Sequence, residues 1–328
     1  MMTNTAMTVE ETFSRLNKQF GVISIKQLKE LPPTKDDIVS TGIIGLDIAL
    51  GVGGIRKGSI VEIYGPESTG KTTLALQMCK QYQKEKPVLY IDTERTLTRE
   101  TIESMGIKNN NFYLMYVDNL EMALDTCKTV AASGSFSTIV IDSLAGLAPK
   151  AQIDGDVGDS HVGLVSRIMS DTLPVLTPIL DKSGCALIVT NQIREKVGVM
   201  FGNPEKVTCG RALKYYTSIR LDIRRVESIK SNGEDVGCKT RVKVVKNKIA
   251  TPFKTVEFDI MFGKGISVEG DILDRAVENN IITKSSTRYF YDGNEIGQGR
   301  ENVKQYLQDN PAECKKIVNK LKKVYKIS

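Results

Sequence analysis

The stretch that most constrains this chain is Ser59-Ile-Val-Glu-Ile-Tyr-Gly-Pro-Glu-Ser-Thr-Gly-Lys-Thr-Thr73. A strand-like apolar run, Ile60 to Tyr64, feeds a glycine-bounded loop. The loop opens a helical run through Leu74, Leu76, Met78 and Cys79. Gly65, Gly70, Lys71 and Thr72 match the pattern G-x-x-x-x-G-K-[ST]. Glycines let such a loop curl so that its backbone N–H groups face one anion, and the helix N-terminus adds a favourable dipole. Lys71 is placed to reach β- and γ-phosphates, and the Thr72 hydroxyl to ligate Mg2+. The strand–loop–helix setting favours a nucleoside triphosphate site over a chance glycine-rich turn.

The rest of the composition narrows the class. With 328 residues the chain has room for one large domain and one or two small ones. At 41% hydrophobic and 26% charged it reads as an ordinary soluble globular protein. A net charge of +6 permits an anionic partner without requiring one. The six cysteines include no C-x-x-C pair, so reduced thiols in a cytoplasmic protein, and no zinc site, are expected. His161 is the only histidine, which excludes H-x-x-x-H metal sites. The N-terminus lacks the basic and apolar regions of a secretory signal, and no apolar run approaches membrane-spanning length, so no membrane partner is expected.

Along the chain, Thr8 and Glu11 form a T-x-x-E capping box, and Val9, Phe13, Leu16 and Phe20 recur at helical spacing up to Gly21. One amphipathic helix cannot form its own core. It must dock on the main domain or on a neighbouring subunit, and spacing does not choose. Pro32-Pro33 marks a linker. A short helix is expected over Ile44 to Leu50, between glycine-rich turns. The runs Val88 to Glu94, Thr138 to Ser143 and Ala186 to Gln192 suit strands buried on both faces of a parallel sheet, with helices around 99–106, 120–133 and 163–181 between them. After residue 215, Ile219, Leu221 and Ile223, then Val242 and Val244, then Val256, Phe258, Ile260 and Phe262 alternate with polar residues. This predicts half-exposed antiparallel strands that extend one edge of the sheet. Beyond about Gly270 a tyrosine-rich hairpin (Arg288 to Gly293) and helices predict a small α+β domain. Its last helix is basic, with Ile317, Leu321 and Val324 on one face. The expected organisation is an N-terminal helix and linker (1–33), an α/β ATPase core with a mostly parallel central sheet and an antiparallel edge (34–269), and the small C-terminal α+β domain (270–328).

Hydrolysis needs two acidic groups beyond the loop. Asp142, at the end of an apolar strand, suits Mg2+ held through water. Glu94 and Asp92 compete for the role of orienting the attacking water; a strand period of two puts both on one face. Asn191-Gln192 closes the next strand, where a γ-phosphate sensor would sit. It opens a long glycine-containing segment with Arg194, Lys196, Phe201, Lys206 and Arg211. Basic residues with an aromatic suit a loop that tracks single-stranded nucleic acid. The stretch Ile153 to Gly163 is a second, acidic loop, in which His161 reads as a turn or packing residue. The cluster Arg224, Arg225, Arg241, Lys243, Lys246 and Lys248 is either a solvated strand face or an attractor of phosphate.

Taken together, Gly65-Pro-Glu-Ser-Thr-Gly-Lys-Thr-Thr73, the pair Asp92/Glu94, Gly158-Asp-Ser-His-Val-Gly163, Asn191-Gln-Ile-Arg194, Val199-Met-Phe-Gly-Asn-Pro-Glu205 and Val242-Lys-Val-Val-Lys-Asn-Lys-Ile249 closely resemble the bacterial RecA recombinase family. The likeness runs from the N-terminal helix to about residue 310, and its later motifs are far more specific than the P-loop. It implies a RecA-like P-loop NTPase fold and a DNA-dependent ATPase. Such a protein forms a helical filament on single-stranded DNA and exchanges strands with a homologous duplex, in recombination and repair. ATP would lie between subunits, on Gly65, Pro66, Glu67, Ser68, Thr69, Gly70, Lys71, Thr72 and Thr73, with Asp142 and Mg2+. Glu94 would be the catalytic base, Gln192 the γ-phosphate reporter, and Lys246 and Lys248 would reach the neighbouring subunit's ATP. Gly163, Arg167, Arg194, Met200, Phe201, Gly202, Asn203, Gly210 and Arg211 would hold the primary DNA strand. Arg224, Arg225, Arg241 and Lys243 match the region that receives the duplex. The N-terminal helix would dock on the next subunit. A repressor substrate and accessory recombination proteins are further implied partners.

The sequence departs from the family at several positions. Thr101 stands where the family has a Tyr that stacks on adenine, and Thr98 replaces an acidic residue. Cys209 replaces the first of a glycine pair and is followed by Gly210 and Arg211. Pro174 interrupts a helix at a position usually basic. The chain ends basic where the family carries an acidic tail, which implies weaker restraint on DNA binding. These differences suit a divergent bacterial or phage-encoded member. A hexameric RecA-fold motor would share the P-loop, Glu94 and Asp142 but not the runs Gly158 to Gly163 and Val199 to Glu205. An ATP-binding regulatory paralogue without strand exchange would not need Lys71, Thr72, Glu94, Asp142 and Gln192 intact.

Overall fold

The apolar runs of the sequence become the interior strands of one large sheet. The computed structural model describes residues 7–21, 37–156, 163–195, 205–207 and 210–327. Two units form, Met1–Asp37 and Ile38–Ser328. In the first, α1 (Val9–Phe20) starts at the expected capping box: Thr8 Oγ1 accepts from the Glu11 N–H at 3.2 Å, and Glu11 Oε2 from the Thr8 N–H at 2.8 Å. No side chain of α1 is buried.

In the second unit, β1 (Ile38–Val39) pairs with β2 (Ile55–Arg56) around α2 (Ile44–Leu50). The chain continues through β3 (Ile60–Gly65), α3 (Lys71–Tyr82), β4 (Val88–Asp92), α4 (Arg99–Ser104), β5 (Phe112–Met115), α5 (Leu120–Ser133), β6 (Thr138–Asp142), α6 (Lys150–Asp154), α7 (Leu164–Ser183) and β7 (Ala186–Glu195). Next come β8 (Glu205–Val207), α8 (Gly210–Tyr216), β9 (Ile219–Ser231), β10 (Glu234–Asn247), β11 (Thr255–Met261) and β12 (Gly265–Ile266). Among the described residues these strands build a ten-stranded sheet in the order β12-β11-β10-β9-β3-β7-β6-β4-β5, with β8 paired to β7. The strands from β9 to β5 are parallel, and β9 to β12 form the antiparallel edge.

The central strands are buried on both faces, as their unbroken apolar runs require. Val61, Ile63 and Ile188 pack with α3 and the antiparallel edge on one side; Ile60, Leu187 and Val189 pack with α5 and α7 on the other. The remaining elements are α9 (Val268–Glu278), β13 (Ile282–Ser285), β14 (Arg288–Tyr291), β15 (Asn294–Gln298), α10 (Arg300–Asp309) and α11 (Pro311–Tyr325). They enclose a third core that also takes in Ile44 of α2.

Four local expectations change. The strand after the P-loop unit stops at Asp92, not Glu94, because the Asp92 carboxylate turns back to accept the N–H groups of Glu94, Arg95 and Leu97. Phe262 lies past the end of β11 and is exposed, although Val256, Phe258 and Ile260 are buried. Pro174 does not interrupt its helix: α7 runs through Pro174 and Pro178, held on the sheet by buried Met169, Leu173, Leu176 and Leu180. Packing here outweighs the lost backbone hydrogen bonds. Val324 is 54% exposed, although Ile317 and Leu321 before it and Ile327 after it are buried in one core.

Candidate functional site

The P-loop leaves β3 at Gly65 and enters α3 at Lys71. Gly65 runs so close to the Ile223 carbonyl that a Cβ would collide with it. Gly70 caps α3 at φ 95°, a conformation that favours glycine. Thr69 Oγ1 donates to the Pro66 carbonyl at 2.9 Å, closing the loop on itself. Lys71 Nζ donates to the carbonyls of Pro66 at 2.7 Å and Gly65 at 3.2 Å. Partial burial lowers the Lys71 pKa against the opposing pull of Asp142, Glu94 and Glu67.

Parallel strands end at one edge, so the segments leaving β3, β4, β6 and β7 meet there. The result is a cavity of about 610 Å³. The loop residues Glu67 to Thr73 line it, with Glu94 and Asp142 from the ends of β4 and β6, Gln192 from β7 where it stops pairing with β3, and Cys238, Ile260 and Phe262 from the antiparallel edge. Asp92 is 2% exposed and spent on backbone N–H groups; Glu94 is exposed, and its Oε1 accepts from Ser143 Oγ at 3.0 Å. Thr72 Oγ1 donates to Asp142 Oδ2 at 2.7 Å. Tyr90 OH donates to the same oxygen at 2.6 Å, and Thr190 Oγ1 donates to Asp142 Oδ1.

Tyr90, Thr190 and Ser143 are not singled out by the sequence motifs. A signal existed: a tyrosine or threonine in a strand with no exposed face must find a partner for its hydroxyl. Thr98, which departs from the family, caps α4: its Oγ1 accepts from the Thr101 N–H at 3.2 Å and lies 3.1 Å from Thr101 Oγ1.

Lys246 and Lys248 do not line the cavity. Lys246 pairs in register with Arg220, which stands beside Glu62 near the start of β3, whereas the P-loop leaves its far end. Its Nζ donates to the carbonyls of Lys214 at 2.7 Å and Tyr215 at 3.0 Å, at the end of α8. The other basic residues are mostly paired. Glu205 holds the Arg224 guanidinium in two bonds of 2.6 and 2.7 Å, with Asp222 at 2.6 Å. Arg241 meets Glu257 at 2.7 Å, and Arg225 donates to Ser228 at 2.6 Å. Lys243 is exposed, as is Arg211. Gly163 caps α7 at φ 81°, and Arg167 in its first turn lies 4.0 Å from Asp171. Arg194 pairs through its backbone with Lys206, and Gly210 begins α8. Met200, Phe201, Gly202, Asn203, Cys209 and His161 lie outside the described residues.

A mostly parallel sheet with a P-loop at its carboxyl edge, extended by antiparallel strands, defines a P-loop NTPase with a RecA-like fold. The models of the RecA N-terminal domain and the RecA C-terminal domain match residues 7–267 and 270–326. The protein named RecA of Clostridium novyi (strain NT) is 48% identical over 320 residues, covering 97% of this chain and 91% of that protein. That of Gluconobacter oxydans (strain 621H) is 49% identical over 315 residues, covering 96% and 91%. Among solved structures, the crystal structure of the RadB recombinase shares the fold at TM-score 0.53 and 24% identity, over 70% of this chain and 98% of that one. The chain belongs to the RecA family.

Among the described residues no helix is long and apolar enough to cross a membrane.

Proposed function

We infer that this RecA-family recombinase is a cytoplasmic, DNA-dependent ATPase. It would assemble as a helical filament on single-stranded DNA, pair that strand with a homologous duplex and exchange strands. The observation behind the ATPase reading is the meeting of Lys71, Thr72, Glu94, Asp142 and Gln192 around one cavity, although they come from four separate strand–loop segments.

The loop N–H groups and the α3 N-terminus would bind the phosphates of ATP, with Lys71 exchanging its bonds to loop carbonyls for phosphate oxygens. The Thr72 hydroxyl and the Asp142 carboxylate are hard oxygen donors 2.7 Å apart. Among the described residues no group of three or more His, Cys, Asp or Glu could hold a metal alone. That donor set suits Mg2+, which takes one or two protein oxygens and completes its shell with phosphate and water. When bound, Mg2+ would neutralise charge on the β- and γ-phosphates. Glu94 would orient and polarise the attacking water, itself steadied by Ser143. Gln192, just before the basic segment that begins at Ile193, would report the γ-phosphate to the DNA-binding segments.

The position of Lys246 and Lys248, at the opposite end of the strands from the chain's own P-loop, supports their action on a neighbouring subunit's ATP. Residues 1–33 would serve assembly, 34–269 hydrolysis and primary-strand binding, and 270–328 a small accessory domain. Lys243, exposed among paired arginines, is the best placed of its cluster to meet duplex phosphate. Arg224 would first have to leave Glu205.

The test is ATP hydrolysis with and without single-stranded DNA, sampled in parallel by negative-stain microscopy. Strong stimulation with helical filaments is expected; closed rings would overturn the recombinase reading in favour of a motor. Lys71→Ala should abolish turnover, and full activity in that variant would refute the site.

A further inference from the structure

Asp142 receives an unusual share of buried hydroxyls. Its Oδ2 accepts from both Thr72 Oγ1, at 2.7 Å, and Tyr90 OH, at 2.6 Å, while Oδ1 accepts from Thr190 Oγ1. An ionised carboxylate offers about four acceptor positions, two on each oxygen. The three hydroxyls therefore fill Oδ2 and half of Oδ1. Tyr90 has no exposed surface and stands on β4, directly beside β6, so its ring cannot swing away without opening the sheet.

We propose that Tyr90 is a positioning residue for Asp142: its phenol closes Oδ2 and leaves one acceptor position, on Oδ1, for a single metal-bound water. This rests on the assignment of Asp142 to the Mg2+ site. It explains why a strand otherwise made of aliphatic residues and Asp92 carries a tyrosine. It also explains how a carboxylate beside the Thr72 hydroxyl is kept from ligating the cation directly.

The experiment is equilibrium nucleotide binding, without DNA and without turnover, titrated with Mg2+ or Mn2+. Tyr90→Phe keeps the ring and removes one hydrogen bond to a charged group. The Mg2+ concentration at half-saturation should rise roughly ten- to a hundredfold, the range for losing a partner that orients a metal-site carboxylate. Mn2+, which tolerates direct carboxylate ligation better, should be affected less, so the ratio of the two half-saturation points should change. Tyr82→Phe is the control. Tyr82 is equally buried, on α3, but its hydroxyl has no partner among the described residues. That variant should leave both titrations unchanged.

If Tyr90→Phe alters thermal stability but neither titration, the tyrosine is only structural and the proposal is overturned. Asp142→Asn separates this from failure of the underlying assignment. Raised Mg2+ demand in Asp142→Asn with none in Tyr90→Phe removes Tyr90 alone. No change in Asp142→Asn removes the Mg2+ assignment as well.

Discussion

Glu62→Gln should destabilise the chain far more than its conservative chemistry suggests. Glu62 is 1% exposed on β3, and Arg220 is 5% exposed on the adjoining β9, directly across the parallel register. Glu62 Oε2 accepts from Arg220 Nε at 2.5 Å, and Oε1 accepts from Asn191 Nδ2 at 3.2 Å. The Arg220 guanidinium lies 4.6 Å from the centroid of the Tyr64 ring. Glutamine preserves volume and one acceptor but removes the charge, which leaves Arg220 buried against a neutral amide. Breaking a buried pair in this way costs about 3–5 kcal/mol. The Tyr64 ring still faces the cation, so the lower end, about 3 kcal/mol, is expected. In a domain of this size each kcal/mol moves Tm by roughly 2–4 °C, which gives a fall of about 6–12 °C. Urea unfolding should show a lower midpoint with an unchanged slope. Replacing both partners, Glu62→Leu with Arg220→Met, should recover most of the loss, because no uncompensated charge remains. A Glu62→Gln loss below about 1 kcal/mol would refute the reasoning, as would a double variant no more stable than the single one.

Burial sets two further outcomes. Asp47 and Asp271 are pushed up from 3.8 to about 7 and about 6, in both cases chiefly by desolvation. Between the unfolded and folded pKa values the folded chain keeps protons that the unfolded chain has released, so these groups make stability fall as pH rises through that window and level off above it. Tm should therefore be higher at about pH 6 than at about pH 8, and Asp47→Asn should flatten the difference; a wild-type curve that rises across this interval would contradict it. On α11, Ile317→Ala should cost about 2–5 kcal/mol in chemical denaturation and Val324→Ala under about 0.5, although helical spacing places both on one face.

Much of the site was legible because its signals are local. The glycines, Lys71 and Thr72 occur within one loop whose spacing has a single physical use, and the apolar runs that end in Asp142 and Gln192 announce strands buried on both faces. The choice between Asp92 and Glu94 was not local. It turned on Asp92 folding back onto three N–H groups, a turn geometry that strand periodicity does not encode. The basic cluster likewise looked uniform in sequence. Only the fold pairs Arg224 with Glu205 and Arg241 with Glu257 while leaving Lys243 exposed.

The sequence by itself determined the class of fold, the phosphate loop and the family, since each rests on residue type and spacing along one chain. The tertiary structure decided which hydroxyls surround Asp142, which carboxylate reaches the cavity, and that Lys246 and Lys248 stand at the other end of the strands. Those facts depend on strand order and register: β9 and β10 lie on the β3 side of the sheet although more than a hundred residues separate them from β3 in sequence. Hydrogen bonds act over about 3 Å, and the chain's own order does not specify which distant side chains the folded sheet will bring that close.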